Sequence, residues 1–459
     1  MTVGPIDAKL TACFTQPLEK SVKGIFPMKK ASQFTPDVNL NLNVRGLPLS
    51  ATVAINEKSD QLIAREKKVY KLGLGQSPFP VPDCVVRSLQ ENAFRKDYLP
   101  VRGLYELRKA IAEHHRKAFD IECSPDNVIV GPGSKELMFI LQLVYYGDLV
   151  IPTPTWVSYA PQAQIVGRQI SFLKTEREQR YHITPEMLDE LCRRDPGRPR
   201  LIVLNYPSNP TGLTYTADEL QELADYACCY KVVLLSDEIY GKIDHKGKHQ
   251  SIAPFYPEGT VFSSGLSKWC GAGGWRLGFF IIPESMRWLL DSMASVASET
   301  FTSTCAPIQY AAVAAFREDE KLDRYLRTCR KILQALGQHL YYRLREGGVL
   351  IKEPEGGFYL FPDFSPFASR LRARGITDSP SLCERLLEDT GVAIIPGCEF
   401  GREKSELTAR LAYVNFNGDR ALKAAQDEPE NAPVTWDFLR SHCADTLDAV
   451  DFLIDWLHG

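Results

Sequence analysis

Gly265-Leu266-Ser267-Lys268-Trp269-Cys270-Gly271-Ala272-Gly273-Gly274-Trp275-Arg276-Leu277-Gly278 follows one apolar run, Thr260-Val261-Phe262, and leads into another, Phe279-Phe280-Ile281-Ile282. The flanks read as buried strands, so the stretch between them reads as a loop at a strand end. It carries a lysine and, eight residues later, an arginine, with small residues between. The same punctuation recurs upstream. Val128-Ile129-Val130 enters Gly131-Pro132-Gly133-Ser134, and Leu149-Val150-Ile151 follows. Leu201-Ile202-Val203-Leu204 enters Asn205-Tyr206-Pro207-Ser208-Asn209-Pro210-Thr211-Gly212, and Val232-Val233-Leu234-Leu235 ends in Ser236-Asp237-Glu238-Ile239-Tyr240. Helical patterns lie between the runs. Leu137, Ile140, Leu141 and Val144 share one face, and Thr216 with Glu219 forms a capping box before a stripe of Leu220, Leu223, Ala224 and Ala227.

Continuous apolar strands separated by amphipathic helices predict an α/β fold, doubly wound, with a mostly parallel sheet covered on both faces. In open sheets of this kind ligands gather beyond the carboxyl ends of the strands. Asn209, Asp237 and Lys268 each follow the end of a different strand, and Ser134 follows a fourth. Any one of them alone reads as a turn residue satisfying local backbone. Four on one sheet edge read as a site.

The flanks differ from this series. Residues 1 to about 70 are loop-rich, with a helical segment near Glu57 to Arg65. From about Glu318 a long helix carries Leu322, Leu326, Cys329, Leu333, Leu336 and Leu340 and stops at Gly347-Gly348. That stripe is expected to pack as core and not as a coiled coil. A smaller α+β region follows, with an acidic, proline-containing loop from Asp427 to Pro433 and a last helix near Ala449 to Leu457. The expected division is an N-terminal segment 1–82 contributing to a small domain and a dimer arm, a large domain 83–318, and the rest of the small domain in 319–459.

Bulk properties exclude several functions. The chain has 459 residues, 44% of them apolar and 24% charged, with a net charge of −3. These are ordinary values for a globular protein, and without a polybasic block neither nucleic acid nor a membrane surface is an expected partner. No apolar run approaches the length of a membrane span. The start, with Asp7 and Glu19, lacks a secretory core, although Lys9, Lys20, Lys23, Lys29 and Lys30 leave an organelle-targeting leader open. The twelve cysteines form no CxxC pair, and Cys228-Cys229 falls within a predicted helix. They read as thiols in a reducing compartment, which makes the cytoplasm the expected location.

On these residues the chain resembles the class I/II aminotransferases, fold-type I enzymes that use pyridoxal 5′-phosphate, over roughly Leu72 to Phe416. The Lys268 segment agrees with that family's signature, and Asn209-Pro210-Thr211-Gly212 is similarly distinctive. The resemblance implies a large domain with a mostly parallel seven-stranded sheet between helices, plus a smaller α+β domain. It implies amino-group transfer between an L-amino acid and a 2-oxo acid in a ping-pong cycle. Lys268 would then form the Schiff base, since a desolvated lysine shifts its ionisation and serves as nucleophile and proton carrier. Asp237 would keep the pyridine nitrogen protonated, and Tyr240 and Asn209 would donate to the phenolic oxygen. Arg276 would clamp the phosphate together with the backbone amides of Ser134 and Lys135 at a helix N-terminus. Trp156 would stack on the cofactor face. Arg410, in Thr408-Ala409-Arg410-Leu411-Ala412, would bind the substrate carboxylate, and Gly75 would line the entrance. Tyr98, in Asp97-Tyr98-Leu99-Pro100, would reach the phosphate of a neighbouring subunit, with Thr302 and Ser303 contributing beside it, which implies a homodimer with shared sites.

The chain departs from the family pattern at Gly265, where many relatives carry a phosphate-binding serine; Ser264 and Ser267 are both candidates to replace it. Other readings compete. A lyase, decarboxylase or synthase would keep the same fold and cofactor, and a regulator would bind the cofactor without catalysis. The leading residues show no basic helical pair of the kind a DNA-binding regulator carries. A nicotinamide enzyme lacks its GxGxxG spacing here, and His114-His115 has no ligand-spaced partner for a metal. For the distal end of a dicarboxylate substrate, no arginine lies between Arg287 and Arg317; either Lys135 or another residue supplies that charge, or the substrate is aromatic or aliphatic, and the resemblance is to aminotransferases of the aspartate/aromatic/kynurenine type.

Overall fold

The large sheet forms because its inner apolar segments bury both of their faces, with Ile170–Lys174 a partly exposed edge. In the computed structural model, which describes residues 39–459, its strands are β2 (Val128–Gly131), β3 (Asp148–Thr153), β4 (Ile170–Lys174), β5 (Arg200–Asn205), β6 (Val233–Asp237), β7 (Thr260–Gly265) and β8 (Gly278–Ile281). Their order is β2-β8-β7-β6-β5-β3-β4. Strand β8 runs antiparallel to both neighbours, and the remaining pairs are parallel, as the sequence pattern predicts. Alternate residues feed two separate cores. Leu201 and Val203 pack on one face of β5, Ile202 and Leu204 on the other. One face is covered by helices Ser134–Val144 and Arg287–Thr300, the other by Ala217–Cys229.

Smaller pieces surround this sheet. Strand β1 (Tyr70–Lys71) pairs parallel with β10 (Val392–Ala393), and β11 (Ile395–Pro396), β12 (Ala409–Ala412) and β9 (Tyr359–Leu360) form a three-stranded antiparallel sheet. The long C-terminal helix spans Glu320–Glu346, capped by Asp319, whose carboxylate accepts from the amides of Lys321 and Leu322 at 2.8 and 3.2 Å. Its predicted stripe is buried against the rest of the chain. The N-terminal helix runs Ala51–Ile63, beginning earlier than its charge pattern indicates, and the last helix runs Ala444–His458.

The chain divides into two units, the first described only over residues 39–45 and the second Gly46–Gly459. In the first, the amides of Val44 and Arg45 both donate to the Asn41 carbonyl at 3.1 Å, closing a turn. Asp7, Glu19 and the basic residues Lys9, Lys20, Lys23, Lys29 and Lys30 lie outside the described residues. Among the described residues no helix is long and apolar enough to cross a membrane. His114 and His115 pack among Phe119, Phe316 and Phe262, and burial pushes their pKa values down to about 2 and about 3.

The predicted capping box is formed. Glu219 N donates to Thr216 Oγ1 at 3.3 Å, and Thr216 N donates to the Glu219 carboxylate at 2.7 Å. Thr216→Ala removes one half of it at an exposed position, so thermal unfolding should show a loss of about 1 kcal/mol with turnover unchanged.

Candidate active site

Loops after β2, β3, β5, β6 and β7, with the segment after β1 and strand β12, bring the predicted residues together around one cavity of about 370 Å³. Ser134, Lys135, Trp156, Asn209, Asp237, Tyr240, Lys268, Arg276, Gly75 and Arg410 all line it. Tyr98 does not. It stands 87% exposed on the surface of its own chain.

Asp237 ends β6 and is 3% exposed. Its Oδ2 accepts from Tyr159 OH at 2.6 Å, while its Oδ1 is buried with no partner. Burial pushes its pKa up to about 6, against opposing contributions from Tyr159 and Lys268. A buried acceptor oxygen facing a cavity calls for a donor from outside the protein. Lys268 extends its Nζ into the same space and donates to the Gly75 carbonyl at 2.6 Å. Tyr240 is buried, and its OH lies 2.8 Å from Tyr359 OH. Asn209 Oδ1 accepts from Arg410 Nη1 at 3.1 Å, which leaves the amide nitrogen as its donor.

The other end of the cavity is built from backbone. Helix Ser134–Val144 opens after Gly133, whose φ of +89° suits glycine, and its first amides have no intrahelical acceptor. Arg276, at φ +54°, donates through its guanidinium to the Gly273 carbonyl at 2.9 Å and the Pro132 carbonyl at 3.3 Å, so it joins two of the loops. A Cβ on Gly133 would stand 2.3 Å from that guanidinium, and one on Gly278 would stand 2.1 Å from Ser134 N. The cradle therefore requires glycine at both positions. An anion fits this helix end, with its unpaired amides and adjacent guanidinium.

Gly265 is explained by the same crowding. It pairs with Gly278 across β7 and β8, and a Cβ there would lie 2.7 Å from the Leu277 carbonyl oxygen and 2.9 Å from Gly278 Cα. Of the two serines left open by the sequence, Ser267 lines the cavity, and Ser264 lines a separate space beside His115 and Phe262.

Arg410, on β12, is 1% exposed. Its guanidinium donates to Asn209 and to the Gly73 carbonyl, lies 4.7 Å from the Tyr359 ring centroid and 5.1 Å from that of Phe400, and leaves Nε without a partner. Among the described residues no carboxylate pairs with it. A buried guanidinium so placed is matched to a carboxylate from a ligand. Sequence reading missed Tyr159 and Tyr359, whose apolar neighbours make them look like core, and Thr52, which the N-terminal helix brings to the cavity wall.

Residues 67–415 match the family model described as "Aminotransferase class I and II". The chain belongs to this family. It is 33% identical over 388 residues to an aspartate aminotransferase of Bacillus subtilis (strain 168), covering 82% of this chain and 94% of that one. It is 30% identical over 393 residues to an asparagine–oxo-acid transaminase of Streptococcus mutans, covering 82% and 94%. Among solved structures, the aspartate aminotransferase of Thermus thermophilus with maleate superposes at a TM-score of 0.77 with 27% identity, covering 91% of this chain and 99% of that one. The protein is a pyridoxal phosphate-dependent aminotransferase that moves an amino group between an L-amino acid and a 2-oxo acid. The lyase and regulator readings are not favoured by these relatives. The unpartnered Asp237 oxygen, the Lys268 amine and the glycine-walled cradle fit the ring nitrogen, aldehyde and phosphate of that cofactor.

The raised pKa of Asp237 has a measurable sign. Its carboxyl binds its proton more tightly folded than unfolded, so the stability it contributes is full below about pH 4 and lost as pH rises through about 6. Cofactor-free Asp237→Asn should therefore gain stability over the wild type across that window, by up to about 3 kcal/mol. Denaturation midpoints taken through the same range check this. A difference that does not change with pH would contradict it.

Proposed function

We propose that this aminotransferase takes an acidic amino donor, with the α-carboxylate on Arg410 and the distal carboxylate on Lys135. The observation that carries the reading is a pair of cations, both lining the cavity and both without an anionic partner. Neither Arg410 nor Lys135 has an acidic partner among the described residues. The Lys135 amine lies 5.4 Å from the Trp156 ring centroid, and its pKa is lowered by burial and by the charges of Arg276 and Lys268, which a bound carboxylate would offset. Aspartate in the names of several relatives, and maleate in the Thermus structure, support an acidic ligand.

When bound, pyridoxal phosphate supplies an aldehyde that takes up the amine and a ring that withdraws electrons from the α-carbon. Lys268 would hold the cofactor and, with its amine free, would carry a proton to and from the substrate carbon. Asp237 would accept from the ring nitrogen through Oδ1, with Tyr159 fixing its other oxygen. Tyr240 and Asn209 would donate to the phenolic oxygen. Arg276, Ser267 and the amides of Ser134 and Lys135 would hold the phosphate, and Trp156 would cover the ring and keep water from it. Gly75 would stand at the entrance; it lines the cavity, and a Cβ there would meet Tyr359 OH at 1.9 Å.

The active unit we infer is a homodimer in which Tyr98 crosses to the neighbouring phosphate, with Thr302 and Ser303 beside it. The exposed aromatics Phe94, Tyr98 and Tyr105 support a covered surface. The division into 1–82, 83–318 and 319–459 is retained: the large sheet lies within the middle segment, and the small sheets draw on the two flanking ones. The cytoplasm is the proposed location, supported by free cysteines throughout the described residues.

Arg410→Ala should lower kcat/KM by roughly two to four powers of ten for every amino donor, from two charge-assisted bonds of about 1.5–3 kcal/mol each. Lys135→Met should lower it about 10- to 100-fold for aspartate and leave alanine within a few-fold. Equal losses for both donors would remove Lys135 from the distal site.

A further inference from the structure

Lys242 belongs to no part of the site described above. It sits on the short turn Gly241–Ile243 that follows Tyr240, with its Nζ 4.1 Å from the Trp269 ring centroid and 5.3 Å from that of Phe316. Among the described residues its amine makes no ion pair and no hydrogen bond, and Asp323 acts on it through space only. A cleft of about 240 Å³ reaches it from the surface, lined also by Phe119, Leu326 and Arg330. Arg330 has no ion pair either. Its Nε donates to the Leu326 carbonyl at 3.2 Å, and a Cβ on Gly247 would stand 2.0 Å from its Nη1. One wall of the cleft thus carries an amine on aromatic rings and an unmatched guanidinium.

We propose that Lys242 is a carbamylation site: its amine adds carbon dioxide entering this cleft, and Arg330 binds the carboxylate that forms. In the step the Nζ lone pair makes a bond to the carbon of CO₂, one C=O π bond opens to place a negative charge on oxygen, and Nζ releases a proton to water. Nothing is oxidised or reduced. The electrophile is small and apolar, which suits an approach past Phe119 and Leu326, and the product anion matches a guanidinium that makes no ion pair among the described residues.

The chemistry needs a neutral amine. An ordinary lysine is only about 0.1% neutral near pH 7.4. Burial, aided by the Arg330 charge and opposed by Cys270 and Asp323, pushes Lys242 down to about 7. Other titratable groups face the cleft. His114 and His115 are held far lower by burial, His249 is bonded to Glu238 at 2.6 Å, Glu318 pairs with Lys117 at the rim beside Arg317, and Asp323 lines the cleft without bonding to the Lys242 amine.

The cofactor-loaded protein, equilibrated with ¹³C-labelled CO₂ and bicarbonate, trapped with triethyloxonium and digested, gives the test. The expected result is an ethylated carbamate on the Lys242 peptide, with a yield that climbs as pH passes through about 7 at fixed dissolved CO₂. Arg330→Gln should cut that yield several-fold, and Lys242→Arg should abolish it. No adduct on Lys242 of the wild-type protein, or labelling no stronger there than on exposed lysines, overturns the proposal without recourse to either variant.

Discussion

A carboxylate buried at the end of β6, with one oxygen bonded to Tyr159 and the other bonded to nothing, organises the rest of the site. Ionised, such a group is unfavourable in a protein interior unless a donor reaches it. The side chains around Asp237 leave that place open. Lys268 is directed to the Gly75 carbonyl, and Tyr159 is already committed to the other oxygen. On the proposed reading a protonated ring nitrogen would supply that donor, and cofactor binding and the electronic demand of the reaction would then draw on one interaction.

The fold makes this arrangement possible by supplying an edge. Strands β5, β6 and β7 end side by side, β2 ends on the same edge across β8, and the loops that leave them carry functional groups into the shared cavity. Backbone crowding then shapes the anion cradle. Gly133, Gly265 and Gly278 sit where any side chain would meet a guanidinium, a carbonyl or an amide, so two strands and a helix end approach at van der Waals distance. Arg276 secures the closed ring by bonding to the Gly273 and Pro132 carbonyls.

Much of this was legible in the residues themselves, and for physical reasons. Strands buried on two faces must be continuously apolar, so β2, β5, β6 and β7 were readable, and the polar residues just beyond their ends had to lie on one edge. The capping box and the buried stripe of the long helix were readable because their patterns are local. Other features depend on three-dimensional packing. Tyr159 and Tyr359 sit in apolar surroundings, and only the folded chain shows their hydroxyls meeting Asp237 and Tyr240. Ser264, on β7, lines a separate space while Ser267, in the loop beyond that strand, lines the cavity, which only the folded chain shows, and strands as short as β9 to β11 carry too few residues to show a period. Arg410 could be named from its motif, but its bonding to Asn209 and Gly73 joins residues far apart in sequence.

The claim on which the account rests is that the ε-amine of Lys268 carries the cofactor beside Asp237. Borohydride reduction of the loaded protein, followed by proteolysis and mass mapping of the cofactor-bearing peptide, measures it directly. The account predicts a single reduced adduct on the peptide containing Lys268, lost in Lys268→Ala. Its appearance on Lys135, on Lys242 or on no lysine at all would contradict it.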